Sequence, residues 1–187
     1  MTSKAALEMI CNTSGSKELY KHPWQFEREG KPWAMAVDGF RILLVAEAGG
    51  WTSLSLLDQG LYKRTIDTQF APLEQETTLP FAELLEFIQQ GITDQPVCPQ
   101  CGRACSWCDD EKDKPMMGWY RGIGVNRRLL ADVLPLLEAT EVTVGTNEKL
   151  GGACFYVWAA GWRFALMGMN VVRRPDSKDP ELRPVFV

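Results

Sequence analysis

The stretch from Gly122 to Val172 constrains the fold most, because its hydrophobic period changes between helical and alternating at definable points. GIGVN, residues 122–126, reads as a short strand, and Asn126 is placed to cap a helix. RRLLADVLPLLE follows, with Leu129, Leu130, Val133, Leu136 and Leu137 at helical spacing; Pro135 predicts a kinked or shortened last turn. Residues 141–145, 153–159 and 162–171 then read as three strands, with turns at 146–152 and at Ala160-Gly161. The order is β-α-β-β-β.

The upstream half is less regular. Residues 3–14 predict a short amphipathic helix with Ser3 as N-cap, Leu7, Ile10 and Cys11 on one face, and Gly15 as the stop. Residues 17–29 are polar and aromatic and hold the single histidine, His22. With no Ser–Asp or Cys partner pattern nearby, His22 reads as a packed or surface residue rather than a catalytic base. KPWAMAVDGFRILLVAEA, residues 31–48, predicts two strands joined by a type I′ turn at Asp38-Gly39. Residues 51–70 offer weaker strands and 71–78 a polar connection. Residues 79–90 predict a helix with Pro80 near its first position, Gly91 at its stop and Leu84, Leu85, Phe87 and Ile88 buried. The tail from Arg173, rich in proline and charge, predicts an extended segment with Val185–Val187 docked.

Between the halves lies CPQCGRACSWC, which places Cys98, Cys101, Cys105 and Cys108 as C-x2-C-x3-C-x2-C. Each C-x-x-C pair turns two thiolates toward one point, and two pairs supply the four sulfurs of a tetrahedral zinc site. An iron–sulfur cluster or a loop of reduced thiols are the other readings of the same four residues. Cys11 and Cys154 stand apart in apolar surroundings and read as buried thiols. DDEKDKP, residues 109–115, reads as a solvated rim to the cysteine lobe.

A net charge of −4 argues against a broadly basic nucleic-acid binder and leaves room for a small basic face. The chain has no apolar run of about eighteen residues and no signal-peptide pattern, which predicts a cytoplasmic protein away from membranes. In that compartment clustered cysteines favour metal over disulfides. No Gly-rich phosphate loop, His-containing metal triad or nucleophile elbow is present. The carboxylates Asp38, Asp109 and Asp110 are scattered, and the chain does not read as an enzyme.

Taken together, these segments resemble the bacterial DNA sliding clamp. GVNRRLLADVLPLLEATEVTVG is similar to the start of that family's repeating β-α-β-β-β unit, and WRFALMGMNV to its last strand. WAMAVDGFRILLV resembles the family's recurrent Asp-Gly hairpin, in which an aromatic or His and then an Arg follow the glycine; Phe40 and Arg41 hold those places. Clamp-like proteins of phages and mobile elements carry cysteine-rich insertions, which is what Cys98–Cys108 looks like. The resemblance implies an α+β, DNA-clamp-like fold of two β-α-β-β-β half-units, residues 1–70 and 120–172. Between them stand a helix and the metal-binding insertion, residues 79–118, and a tail follows from 173. It implies a non-enzymatic role in DNA replication or processivity, with self-association of several copies if a ring forms. Lys4, Lys17, Arg127 and Arg128 would meet the phosphates of double-stranded DNA without reading bases. The competing reading is a small zinc-binding adaptor that binds protein partners through exposed aromatics such as Trp107 and Trp119.

Overall fold

The computed structural model describes residues 2–11, 18–28, 30–46, 50–53, 74–90, 117–147, 154–168 and 180–182. In chain order these form α1 (Thr2–Ile10), β1 (Trp24–Arg28), β2 (Lys31–Val37), β3 (Arg41–Val45) and β4 (Thr52–Ser53). There follow β5 (Glu74–Pro80), α2 (Phe81–Gln89), β6 (Met117–Tyr120), β7 (Ile123–Asn126), α3 (Arg127–Ala131), β8 (Glu141–Asn147), β9 (Cys154–Ala159) and β10 (Trp162–Met167). Eight strands make one sheet in the order β4-β1-β2-β3-β10-β9-β8-β5, and β6 and β7 form a separate hairpin.

Two three-stranded meanders, β1-β2-β3 and β8-β9-β10, meet at the antiparallel β3–β10 pair. Their registers are the same. Ala34↔Val45 in one matches Phe155↔Leu166 in the other, Ala36↔Leu43 matches Val157↔Phe164, and Trp24↔Met35 matches Gly145↔Tyr156, every residue lying 121 positions from its counterpart. The seam obeys the same relation: the Ala46 amide donates to Gly161 O and the Met167 amide to Phe40 O, both at 2.9 Å. These paired bonds are what a local twofold between the halves requires.

Because successive side chains in a strand point to opposite faces, the sheet divides its apolar residues into two layers. One face carries Ala34, Ala36, Leu43, Val45, Val142, Val144, Phe155, Val157, Trp162, Phe164 and Leu166. The three described helices pack there, through Ala6, Leu7 and Ile10 of α1, Leu84, Phe87 and Ile88 of α2, and Leu130 of α3. The other face carries Phe26, Trp33, Met35, Ile42, Leu44, Cys154, Tyr156 and Ala165. On that face one cross-strand row runs through all eight strands: Thr52, Trp24, Met35, Leu44, Arg163, Trp158, Thr143 and Thr78. The Arg163 guanidinium of this row lies 5.0 Å from the centre of the Trp158 ring and 5.9 Å from that of Trp33, a cation within reach of two indoles.

Several expected elements shift for identifiable reasons. Ser3 lies inside α1, which begins at Thr2, and does not cap it. The Asp38-Gly39 hairpin is present, but its two-residue loop is Gly39-Phe40, and of the two only Gly39 has positive φ, at 95°. That is the pattern of a II′ turn rather than I′. Asp38 instead holds the turn through its carboxylate, accepting from the amides of Phe40 at 2.8 Å and Arg41 at 2.7 Å. The helix expected after Asn126 ends at Ala131, and a 3-10 turn over Leu134–Leu136 replaces the rest. Pro135 has no amide to donate and its ring would clash with the carbonyl four residues back, that of Ala131. β7, expected to open the second unit, pairs with β6 outside the main sheet, and β5 takes the edge position beside β8. The polar 71–78 connection is thus largely strand, and Trp24–Arg28, not read as a strand from sequence, is one as well.

Gly118 on β6 is where the hairpin meets α2 and α3. A Cβ there would stand 2.6 Å from the Phe87 ring and 2.7 Å from Arg127 Cδ, whereas one at Gly161 would meet nothing within 4 Å. Gly118→Ala is therefore expected to lower unfolding stability by about 1–3 kcal/mol through overpacking. Gly161→Ala should leave the urea midpoint nearly unchanged, and equal midpoints for the two variants would refute the close approach.

Candidate nucleic-acid and partner surface

The three expected DNA-contacting residues that the structure describes are placed very differently. Lys4, on the outward side of α1, is exposed; its Nζ lies 3.9 Å from Glu8 Oε1 and 5.6 Å from the centre of the Trp51 ring. Lys17 lies outside the described residues. Arg128 is half-buried in the first turn of α3, where its amide donates to Asn126 Oδ1 at 3.2 Å. Asn126 is thus the cap its sequence position suggested.

Arg127 points the other way. It is 4% exposed, and its Nη1 donates to the carbonyls of Phe87 at 3.1 Å, Ile88 at 3.2 Å and Gln90. Its guanidinium also lies 5.9 Å from the centre of the Phe87 ring. The last carbonyls of a helix have no partner within it and carry the negative end of the helix dipole. α2 has no basic residue in its own last turn, so Arg127 supplies the cation from the start of α3. The expectation that Arg127 faces DNA is corrected here: its charge is committed inside, at the point where the chain leaves α2 for the cysteine-rich segment.

The rest of the helical surface is mixed in sign. Glu8 and Glu86 are exposed, Glu83 is half-buried, and Asp132 is exposed just beyond α3. A second buried cation ties the halves together. Arg41 Nε donates to Asp38 Oδ2 at 2.7 Å and Nη1 donates to Leu129 O at 3.2 Å, with Asp132 Oδ2 at 3.5 Å. Asp38, a candidate carboxylate by type, is thereby a turn and ion-pair residue. Where the halves join at the sheet's end, Phe40 and Met167 are both exposed large apolar residues, 63% and 52%, linked by the Met167 amide to Phe40 O.

Other candidates resolve simply. His22 stacks on Trp24 with ring centroids 4.1 Å apart, its Nε2 3.6 Å from Glu18. Cys11 is half-buried and its thiol is pushed up to about 11, first by burial and then by the nearby Glu8 and Asp38 carboxylates. The reactive thiolate is accordingly scarce near neutral pH. Burial likewise raises the Cys154 thiol. Trp119, expected as an exposed interface residue, is 3% exposed. Cys98, Cys101, Cys105, Cys108 and Trp107 lie outside the described residues; among the described residues no group of three or more His, Cys, Asp or Glu is placed to hold a metal. Among them, too, no helix is long and apolar enough to cross a membrane.

A continuous sheet built from two equivalent meanders, with the described helices on one face, is the DNA sliding-clamp fold. Solved structures show the likeness directly. The chain is similar to the DNA polymerase III subunit beta of Pseudomonas aeruginosa, with a TM-score of 0.57 and 10% identity over 90% of this chain and 64% of that one. It is similar to the Helicobacter pylori beta clamp, solved with a DNA ligase peptide, with a TM-score of 0.57 and 11% identity over 91% and 63%. The Thermotoga maritima beta subunit gives a TM-score of 0.53 at 9% identity over 94% and 63%. The chain thus spans just under two thirds of the length of these clamps. No protein-family model matches it, and no curated protein matches it in sequence.

Removing the Arg127 guanidinium leaves the α2 carbonyls without their charged donor. Arg127→Ala is expected to cost about 1.5–3 kcal/mol in chemical unfolding, the range for hydrogen bonds to a charged group. Arg128→Ala should cost little, and the reverse order of the two variants would contradict the placement.

Proposed function

We propose that this protein is a non-enzymatic, clamp-like component of DNA replication that holds duplex DNA loosely while partner proteins dock on it. The observation that carries the reading is the sliding-clamp fold itself, with a local twofold relating the two meanders. Contact with DNA falls to Lys17 and to Lys4 and Arg128, the latter two on a helical surface that also carries Glu8, Glu83, Glu86 and Asp132. Few cations among carboxylates give weak, sequence-independent phosphate contact, which suits a protein that must slide. Partner proteins would meet the apolar pair Phe40 and Met167; the Helicobacter clamp offers a precedent in its bound ligase peptide. The cysteine quartet Cys98, Cys101, Cys105 and Cys108 is proposed to hold a structural zinc, which would give a short polar segment the stability that its own apolar content cannot.

Fluorescence anisotropy with labelled duplex DNA at a series of salt concentrations tests the DNA contact. With three phosphates neutralised, the log of the binding constant should fall with a slope of about −2.7 against log salt. Each alanine substitution at Lys4, Lys17 or Arg128 should flatten that slope by about 0.9. A slope unchanged in all three variants, or no binding at low salt, would remove these residues from the proposal. For the metal, elemental analysis of purified protein is expected to find about one zinc per chain. Cys98→Ser with Cys101→Ser should lose the zinc and lower the melting temperature; a colourless, zinc-free protein with an unaltered melting temperature contradicts the site.

A further inference from the structure

On the sheet face away from the helices, the strands β5, β8 and β9 carry a cavity of about 320 Å³. Thr78, Thr143 and Trp158 lie in one cross-strand row of that face, and Glu141, two residues before Thr143 on β8, takes the same side. All four line the cavity, together with Ala160. The hydroxyls of Thr78 and Thr143 are 3.3 Å apart. Glu141 is exposed, and its carboxylate has no cation or hydrogen-bond donor as a partner among the described residues. Trp158 is half-buried, and its Nε1 is buried with no acceptor among the described residues. The nearest cation to its ring, Arg163 at 5.0 Å from the centre, comes from β10, the strand on the side away from β8.

We propose that this cavity takes the guanidinium of an arginine side chain presented by a partner protein. The inference goes beyond the replication reading, since it uses the face opposite the helices that carry Lys4 and Arg128. Each part of the site answers one property of that group. Glu141 matches its charge and can accept two parallel N–H bonds, which a guanidinium donates as a planar fork. The Trp158 indole offers a flat surface to the same plane. The hydroxyls of Thr78 and Thr143 can accept from N–H groups that the carboxylate leaves over, because a guanidinium carries more donors than one carboxylate uses. An ammonium fits less well: it is compact, strongly hydrated and has no plane to stack. Arg163 sets a like charge near the same ring, and a delocalised, weakly hydrated cation tolerates that neighbour better than lysine would. A peptide also brings backbone carbonyls, the kind of acceptor that Trp158 Nε1 lacks, and this favours a protein ligand over a free cation. The volume stands at the low end of small-ligand pockets, roughly 300–1,000 Å³, which suits one long side chain and not a large cofactor.

Proton–nitrogen correlation NMR of the full chain, titrated without DNA with the peptide acetyl-Gly-Ser-Arg-Ser-Gly-amide, tests the site. The Trp158 indole N–H peak, assigned by its loss in Trp158→Phe, should shift and saturate with a Kd of roughly 1–10 mM, as expected of one side-chain contact. The same peptide with lysine should bind about threefold more weakly, and one with citrulline, which keeps the plane and lacks the charge, should not saturate. Glu141→Gln should raise the Kd about fivefold, the upper range for one exposed ion pair. Sodium chloride at about 0.5 M should weaken binding to the wild type in the same direction. Glu141 is exposed, so this variant keeps the fold, and backbone peaks unchanged outside the cavity verify it. An indole peak unmoved by the arginine peptide, equal binding of the lysine or citrulline peptide, or an unaltered Kd in Glu141→Gln overturns the proposal. None of these results bears on DNA contact through the helices, so the two readings fail separately.

Discussion

The pairing of β3 with β10 is the contact on which the rest of the molecule depends. It turns two three-stranded meanders into one sheet, and only a sheet of that width offers a face broad enough for α1, α2 and α3 to share a core. Leu43 stands opposite Phe164 and Val45 opposite Trp162 on the helix face. A meander with one short helix would bury too little apolar surface to offset the entropy of ordering its chain. Joined, the halves also share Arg41, which reaches from the first hairpin to the carbonyl of Leu129 in the second half.

The two halves are alike in backbone and unlike in side chain, and the difference is complementary. Ala34 and Ala36 in β2 have Phe155 and Val157 as counterparts in β9. The small pair lets α1 lie close on β2 and β3, whereas Phe155 fills its larger space by meeting Tyr120 of the β6–β7 hairpin edge-on, with ring centroids 5.3 Å apart. The hairpin is fixed in turn by Gly118 against Phe87 and Arg127, and by Arg121 Nη2 donating to Thr77 Oγ1 at 3.0 Å. The segment that contains the cysteine quartet therefore departs from α2 and returns at β6 between two anchored points.

Much of this was legible in the sequence, and what was not has a physical explanation. The Asn126 cap, the Asp38-Gly39 hairpin, the α2 face and the three closing strands each depend on local chemistry, and the sequence carries that chemistry. The repeat does not show as identity: none of residues 31–46 matches its counterpart at 152–167. Only register reveals it, because alternation conserves which face a residue takes and not its type. β5 was hidden because an edge strand with threonines and glutamates needs no apolar stripe. Trp24–Arg28 did carry a signal, since Trp24 and Phe26 alternate with polar residues toward the second core layer. Arg127 was misplaced because its partners, carbonyls some forty residues upstream, are set by tertiary packing. At the candidate surface, sequence could not separate Arg127, turned inward, from Arg128 beside it.

Hydrogen exchange followed by NMR tests the joined sheet most directly. The account predicts that the amides of Leu44 and Arg163, paired across the centre of the seam, exchange as slowly as those inside each meander and only through global unfolding. Rapid exchange at these two amides, or separate exchange rates for residues 24–45 and 141–167, would show two independent halves and contradict the fold described here.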